Sequence, residues 1–168
     1  MRPTLHFMCG KMAAGKSTLS RQLADQHGAV LICEDIWLQQ LYPTEIRGFD
    51  DYLAYARRLK AVVAPHVLQL LRADVSVVLD FPANVPAQRA WFRSLLDEAE
   101  AGAGDGTGVD HVVHFVDTPH ARCIEQLHRR NREMPPGAMA MSVEQFEAIS
   151  ALFVPPAPEE GFTVKTYR

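Results

Sequence analysis

One short segment near the start of the chain constrains the fold more than any other. It runs from Gly10 to Ser17, with Thr18 next, and matches the pattern G-x-x-x-x-G-K-[S/T]. Glycines let successive backbone N–H groups turn inward around phosphate oxygens, and the N-terminus of a following helix adds a favourable dipole. The segment therefore predicts a phosphate-binding loop between a strand and a helix.

The residues on both sides of this loop have the pattern that its mechanism needs. An apolar run, Leu5–Cys9, comes before it, and helical spacing of apolar residues follows from Lys16 to His27. We expect the Lys16 ammonium to contact the β- and γ-phosphates of ATP and the Ser17 hydroxyl to bind Mg²⁺. The residues assigned to the nucleotide are Gly10, Lys11, Met12, Ala13, Ala14, Gly15, Lys16, Ser17 and Thr18.

Beyond the loop, the chain alternates between apolar runs of strand length and segments of helical spacing. Further strands are predicted at Ala29–Cys33, Val75–Leu79, Val109–Val116 and Phe162–Tyr167. Helices are predicted at Asp50–Arg72 with a break at Pro65, and at Pro86–Ala101, Pro119–Arg132 and Val143–Val154. Strands that are apolar at nearly every position are covered on both faces, which is typical of a parallel sheet between helices. The fold class is therefore α/β, with three layers.

Composition and charge narrow the classes of function. The 168 residues are 48% hydrophobic and 22% charged, which fits one globular domain over residues 1–168. The net charge of -3 provides no general field for nucleic acid or for an anionic membrane, so a nucleic-acid partner is disfavoured without being excluded.

The sequence also indicates the compartment. The three cysteines, Cys9, Cys33 and Cys123, form no C-x-x-C pair, so we expect reduced thiols rather than a disulfide framework or a zinc cluster. No apolar stretch approaches the roughly 18 residues of a membrane span, and the start of the chain does not match a signal peptide. These features predict a cytoplasmic protein.

Two aspartates follow predicted strands, at the sheet edge where ligands of such sheets bind. Asp80 ends one apolar run, and we expect it to contact magnesium through water. Asp35 follows another run by one residue, and a carboxylate there can accept the proton of a hydroxyl group. Asp35 is therefore predicted to be the general base, with the N-cap of a helix over Ile36–Tyr42 as its alternative role. Glu34 is the lesser candidate.

Arginines cluster in the second half of the chain. Arg122, Arg129, Arg130 and Arg132 lie on or just past one predicted helix, and Met134–Gly137 follows as a mobile connection. This pattern predicts a helical lid over about residues 122–142, from which an arginine would stabilise charge on the transferring phosphoryl group. Arg130 is the first candidate and Arg129 the second. A solvated helix end is the alternative, because cations suit a helix C-terminus.

Aromatic and basic residues crowd the segment after Asp35, where the phosphoryl acceptor would bind. The aromatic members are Trp37, Tyr42, Phe49, Tyr52 and Tyr55. Such a set could stack on a nucleoside or an aromatic antibiotic, with Arg47, Arg57 or Arg58 on an anionic group. Packing alone also explains Tyr52 and Tyr55, which are three residues apart on one helical face.

These motifs together resemble the small phosphate-loop kinases that group with polynucleotide 5'-hydroxyl kinases, zeta toxins, chloramphenicol phosphotransferase and gluconate kinase. The resemblance rests on Gly10–Thr18, Glu34–Asp35, Val77–Asp80, Leu127–Asn131, and Phe153–Pro156 with Glu159 or Glu160. It implies a five-stranded parallel sheet in the order 2-3-1-4-5 with a small lid. It also implies that Asp35 deprotonates the acceptor, that Arg130 holds phosphates, and that Pro155 and Pro156 border adenine.

The resemblance has one departure that concerns the acceptor. Leu38 stands where polynucleotide kinases tend to carry an arginine, which disfavours nucleic acid. We therefore predict an ATP- and magnesium-dependent phosphotransferase that acts on a hydroxyl group of a small molecule. Two alternatives stay open: a polynucleotide 5'-hydroxyl or nucleotide-sugar kinase, and an ATP-binding switch protein with slow hydrolysis.

Overall fold

A five-stranded parallel sheet forms the middle layer of the protein, as predicted. The computed structural model describes residues 2–102, 108–134 and 140–168. The strands are β1 (Thr4–Cys9), β2 (Val30–Cys33), β3 (Val77–Pro82), β4 (Asp110–Val116) and β5 (Val164–Tyr167). Their order is β2-β3-β1-β4-β5, and all neighbours are parallel, so the order 2-3-1-4-5 is confirmed.

Helices connect these strands and cover both faces of the sheet. They are α1 (Lys16–His27), α2 (Glu34–Leu41), α3 (Phe49–Arg72), α4 (Pro86–Ala101), α5 (His120–Glu133) and α6 (Val143–Ser150). A short 3₁₀ helix, Pro158–Glu160, precedes β5. No helix in the described parts of the chain has the length and apolar character needed to cross a membrane.

The central strand β1 is buried on both faces, which explains its unbroken apolar pattern. Leu5 and Phe7 face a large core built with α3 and α4, where the ring of Phe92 stacks on Phe7 at a centroid distance of 4.2 Å. Met8 points the other way and packs against Leu23 of α1. The two faces of β1 therefore bind the two helical layers together, and the phosphate loop leaves from the end of this strand.

The predicted break at Pro65 is wrong. Helix α3 continues for 24 residues through Pro65. A proline inside a helix removes one backbone hydrogen bond, but residues on both sides of Pro65, including Leu59, Val63, Val67 and Leu71, are buried in the same core. Burial of one continuous apolar face outweighs the local cost of the proline.

The predicted end of the last helix is also wrong. Helix α6 begins at Val143, as expected, and Ser142 and Gln145 form a capping box at its start, but the helix ends at Ser150 instead of Val154. The Val154 N–H donates to the backbone oxygen of Asn84 at 2.9 Å. This contact with a residue beyond β3 draws the chain out of the helix and across the end of the sheet.

The face of the sheet below α1 holds a buried histidine pair. His6 Nδ1 and His114 Nε2 are 2.9 Å apart, and His114 Nδ1 lies 2.8 Å from the Tyr167 hydroxyl. The His6 ring also stacks on His27 at the end of α1. Burial lowers the pKa of His6 and of His114 to about 4, and each ring charge would further oppose protonation of a neighbouring ring.

This pair should make the fold sensitive to acid. Because both pKa values are below the ordinary value, the full stability is present above about pH 6.5 and is lost as pH falls towards 4. Urea unfolding should show a loss of roughly 2–4 kcal/mol between pH 7 and pH 5. His6→Gln should reduce this slope to about half, because His114 also contributes to it, and the exposed His66→Gln should leave it unchanged. An equal slope in His6→Gln and the wild type would contradict the assignment.

Candidate active site

The loop between β1 and α1 has a backbone that only particular residues can adopt. Gly10 has a φ of +155°, and a Cβ atom at this position would lie 2.7 Å from the backbone oxygen of Val116 in β4. Gly15 has a φ of +102° and is the N-cap of α1. The two glycines of the motif thus allow the turn and the close approach to β4, with the α1 N-terminus facing the loop.

The Lys16 side chain folds over this loop. Its Nζ donates to the backbone oxygens of Gly10 at 2.6 Å and Lys11 at 2.7 Å. The surrounding protein lowers the pKa of the Lys16 ammonium, and the Asp80 carboxylate opposes that shift. The ammonium is therefore already located where phosphate oxygens would enter the loop.

Asp80 and Asp35 reach the same edge of the sheet from neighbouring strands. Asp80 lies within β3, in register with Cys33, and its Oδ2 accepts a hydrogen bond from the Cys33 thiol at 3.5 Å. Asp35 lies two residues beyond the end of β2. Both carboxylates act electrostatically on Lys16, so the structure brings the three predicted residues together.

The alternative role of Asp35 as an N-cap is not observed. Cys33 occupies the N-cap position of α2, and Asp35 lies in the first turn, where the helix dipole favours a negative charge. The residue is exposed at the mouth of the site, but the protein atoms packed around its carboxyl group raise its pKa. The Asp80 charge adds to this rise, whereas Arg130 and Lys16 oppose it.

Arg130 approaches the site from α5. Its Nη1 donates to the Met12 sulfur at 3.9 Å, and its charge acts on the Asp35 carboxyl. The neighbouring Arg129 is exposed and makes no hydrogen bond or ion pair with any residue that the structure describes. The geometry therefore brings the first arginine candidate to the phosphate loop, whereas the second makes no such contact among the described residues.

The described part of the predicted lid packs directly on the loop. Cys123 and Leu127 of α5 form a buried cluster with Ala14 of the loop and Phe146 of α6. This cluster fixes α5 and α6 against the phosphate loop at one end. Part of the predicted connection, Pro135–Gly137, lies outside the described residues.

A chain of polar contacts also joins the loop to both helices. The Lys11 ammonium donates to His120 Nδ1 at 3.3 Å, and His120 Nε2 lies 2.7 Å from the Glu147 carboxylate. Because Nδ1 accepts, the proton of a neutral His120 lies on Nε2 and points to Glu147. The loop, the start of α5 and the middle of α6 are thereby connected side by side.

Pro155 lies in a segment that Asn84 links to the phosphate loop. The preceding residue, Val154, is bonded to the backbone oxygen of Asn84, and the Asn84 side-chain oxygen accepts from the Gly10 N–H at 2.9 Å. The Pro155 oxygen accepts from Arg89 Nη2 at 3.4 Å. A single residue, Asn84, therefore joins the segment that the resemblance assigns to adenine to the start of the phosphate loop.

Asn84 and Arg89 are residues that the sequence interpretation missed. Neither belongs to the phosphate-loop pattern, and both follow β3 by a few positions. The sequence held one signal for Arg89, which occupies a position in the otherwise apolar stripe of α4. In the structure, Arg89 is fully buried on that face. A charge on that face needs a buried partner, which the sequence could indicate but not identify.

The aromatic segment after Asp35 divides into two environments. The Tyr52 hydroxyl donates to Glu34 Oε1, and Glu34 is itself 1% exposed with its Oε2 lacking a partner among the described residues. Burial raises the pKa of the Glu34 carboxyl, and the Tyr52 hydrogen bond opposes that shift. Tyr52 therefore belongs to the interior rather than to an open pocket.

The second environment is a groove of about 550 Å³ between α2 and α3. Its walls include Trp37, Tyr42 and Arg58. The other lining residues are Ile36, Gln40, Leu41, Leu59 and Val62. Tyr55 supports the groove from behind, because its ring packs on Tyr42 at 4.2 Å.

Arg47 and Phe49 do not line this groove. The exposed Arg47 side chain donates to the Thr44 backbone oxygen at 3.4 Å, and its own backbone N–H donates to the Asp51 carboxylate at 3.0 Å. Phe49 lies at the start of α3 and is 59% exposed. Of the predicted acceptor residues, Trp37, Tyr42 and Arg58 are thus the ones that converge.

The sequence of this chain matches a known protein family over most of its length. The model of a family described as an AAA domain matches residues 5–156, which include the phosphate loop, both aspartates and the arginine helix. The chain belongs to this family. A search of curated proteins gives no significant match.

Solved structures with the same fold include several kinases. A sugar kinase from Janibacter sp. HTCC2649 has a TM-score of 0.64 at 16% identity, covering 99% of this chain and 85% of that one. A gluconokinase from Sinorhizobium meliloti 1021 has a TM-score of 0.58 at 15% identity, covering 99% and 84%. Kti12 from Chaetomium thermophilum, in complex with ADP-AlF3, has a TM-score of 0.66 at 15% identity, covering 97% and 89%. The expected likeness to this kinase group is confirmed at the level of the fold.

The close approach of Gly10 to β4 can be tested by adding one methyl group. In Gly10→Ala the new Cβ would meet the Val116 oxygen at 2.7 Å, so the start of the loop must shift. We expect at least about tenfold weaker ATP binding by calorimetry and a loss of about 1–3 kcal/mol of stability. Gly48→Ala is the control, since a Cβ there meets nothing within 4 Å. Unchanged ATP affinity in Gly10→Ala would refute this steric account.

Proposed function

We propose that this protein is an ATP-dependent phosphotransferase that moves the γ-phosphoryl group of ATP to a hydroxyl group of a small molecule. The observation that carries the proposal is the position of Asp35 at the mouth of the site, where the charges of Lys16, Asp80 and Arg130 act on it. A carboxylate that only stabilised the N-terminus of α2 would not need to lie close to the lysine that binds phosphate. A general base must lie there, because it accepts the proton of the hydroxyl group that attacks the phosphate.

In the proposed reaction, the chain holds both substrates and moves one proton. The loop amides and Lys16 bind the phosphates, and the acceptor oxygen attacks the γ-phosphorus as the bond to the ADP oxygen breaks. The hydroxyl proton passes to the Asp35 carboxylate. Arg130 stabilises the negative charge on the transferring phosphoryl group. This role requires that the guanidinium be held close to that group, and the guanidinium neither gains nor loses a proton.

We assign the magnesium ion to Ser17 and Asp80. Magnesium in nucleotide sites takes most of its oxygen ligands from water and phosphates, so one or two protein oxygens are enough. The donors fit this need, because Ser17 lies in the first turn of α1 directly after Lys16, and the half-buried Asp80 acts on the Lys16 ammonium. When bound, the ion would neutralise phosphate charge and orient the triphosphate.

The groove between α2 and α3 supports a small-molecule acceptor. It lies along α2, the helix that carries Asp35, and its volume of about 550 Å³ falls within the range of small-molecule sites. Trp37 and Tyr42 offer flat surfaces, and Arg58 offers a charge for an anionic group. We therefore favour a compact acceptor with a ring over a polynucleotide.

We further propose a cytoplasmic location and a lid that includes the outer part of α5. All three cysteines are free and buried, which suits a reducing compartment. The packing of Cys123 and Leu127 on the loop holds the base of α5, so a movement of this lid would be confined to the part of α5 after Leu127.

The deciding experiment follows the γ-phosphate. The protein is incubated with γ-labelled ATP, magnesium and separate pools of nucleosides, sugars, aminoglycosides, phenicols and 5'-hydroxyl oligonucleotides. Transfer of label to a small-molecule pool supports the proposal, whereas transfer to oligonucleotides would favour the polynucleotide kinase. Label released only as inorganic phosphate, at a rate that no pool changes, would favour the ATP-binding switch.

Asp35→Asn tests the base directly. The amide cannot accept the hydroxyl proton, so we expect at least about a hundredfold loss in transfer while ATP binding by calorimetry persists. Because the pKa of Asp35 is raised, the wild-type rate should fall on the acid side at a pH above the pKa of about 3.9 of an ordinary aspartate. Asp25→Asn, on the exposed side of α1, should retain both the rate and this acid limb. Normal transfer by Asp35→Asn would exclude it as the base.

A comparison of two neighbouring arginines tests the lid assignment. Arg130→Ala should lower the transfer rate by about a hundredfold or more, because charge on the transferring group loses its partner. Arg129→Ala should lose much less, since its side chain makes no hydrogen bond or ion pair with the described site residues. The exposed Arg21→Ala on α1 is the control for a lost surface charge. A larger loss in Arg129→Ala would reverse the two roles.

A further inference from the structure

Asn84 lies between two segments that a nucleotide would have to contact together. Its side-chain oxygen accepts from the Gly10 N–H at 2.9 Å, at the start of the phosphate loop. Its backbone oxygen accepts from the Val154 N–H, also at 2.9 Å, at the start of the segment that contains Pro155. One residue thus connects the loop to Val154–Glu160, the segment that we call the base segment.

Asn84 is itself held in place. Its backbone N–H donates to Gln88 Oε1 at 2.8 Å in the first turn of α4, and the preceding Ala83 is fully buried. The side-chain oxygen, the backbone oxygen and the backbone N–H of Asn84 therefore each have a partner. These partners, Gly10, Val154 and Gln88, come from three different parts of the chain. A residue held in this way cannot shift relative to its partners without breaking a hydrogen bond.

The buried Arg89 fixes the other end of the base segment. Its Nη1 donates to the backbone oxygens of Ala83 and Val154, each at 2.9 Å. Its Nε and Nη2 donate to the two carboxylate oxygens of Glu160 at 2.7 and 2.9 Å. Glu160 Oε1 also accepts from the Ala157 N–H at 2.9 Å, which closes the segment on itself. The pKa of Glu160 is lowered by its hydrogen bond with Arg89, as expected of a fully formed pair.

We propose that Asn84 is a positioning residue that holds the phosphate loop and the base segment at one separation, so that one nucleotide can contact both. The proposal rests on the proposed function, with ATP as the donor, and on the position beside adenine that the family resemblance implies for Pro155. A ligand that bridges two segments gains its second contact without a second loss of freedom, provided that the segments are already correctly spaced. Asn84 supplies that spacing because one side chain and one peptide group link the two.

The test compares a ligand that contacts both segments with a ligand that contacts one. ATP spans the loop and the base segment, whereas inorganic tripolyphosphate occupies only the loop. Asn84→Ala leaves the backbone bond to Val154 but removes the acceptor of the Gly10 N–H. We expect calorimetry to show about tenfold weaker binding of ATP and no more than about threefold weaker binding of tripolyphosphate. A general loss of folding would weaken both ligands equally.

Two further variants keep the test decisive. Gln88→Ala leaves the Asn84 side chain in place but removes the partner of its backbone N–H, so it should give the same pattern with a smaller amplitude. It carries the test if Asn84→Ala does not fold. Ser94→Ala is the matched control on α4, because its exposed hydroxyl donates only to the Trp91 oxygen of the same helix. Thermal melting verifies that each variant is folded.

The outcomes separate this inference from the proposed function. An equal loss for ATP and tripolyphosphate would overturn the positioning role, since Asn84 would then support the loop alone. Unchanged ATP affinity in a folded Asn84→Ala would overturn it as well. Failure of the wild-type protein to bind either ligand would contradict the proposed function itself, before any variant is compared.

Discussion

The parallel pairing of β1 with β3 on one side and β4 on the other is the constraint on which the rest of the structure depends. It places the end of β1, where the phosphate loop begins, next to Asp80 of β3 and Val116 of β4. The loop can turn there because Gly10 presents no side chain to the Val116 oxygen. Strand order and one missing Cβ atom together allow the loop to turn at this edge of the sheet.

The loop is then held from several directions by groups that are distant in sequence. Lys16 bonds the oxygen of Gly10, and Asn84 accepts from its N–H. On the outer side, Cys123 and Leu127 pack against Ala14. A loop held in this way is preorganised, so phosphate binding need not order the loop as well. The described contacts also explain why a charge, Arg89, is buried nearby: its partners are the backbone and Glu160 of the segment that faces the loop.

Much of this arrangement could be predicted from local patterns. The phosphate-loop motif carries its own geometry, and a carboxylate in the last residues of a buried strand or just beyond it lies near the ligand edge of a parallel sheet. This reasoning located Lys16, Asp80 and Asp35. It failed at Pro65, where a break was predicted and the helix continues, and at the end of α6, which was predicted at Val154 but lies at Ser150. In both places, contacts with distant residues decided the backbone: burial along α3 in one case and the Asn84–Val154 bond in the other.

The sequence by itself therefore determined the fold class, the phosphate loop and the edge of the sheet at which chemistry would occur. These features depend on the order of residues within short segments, and short segments can be interpreted one at a time. Only the tertiary structure decided that Arg130 rather than Arg129 approaches the loop, that Tyr52 turns inward to Glu34, and that Asn84 joins two segments. The reason is physical: the direction of a side chain and the partner of a buried polar group depend on residues that only folding brings together.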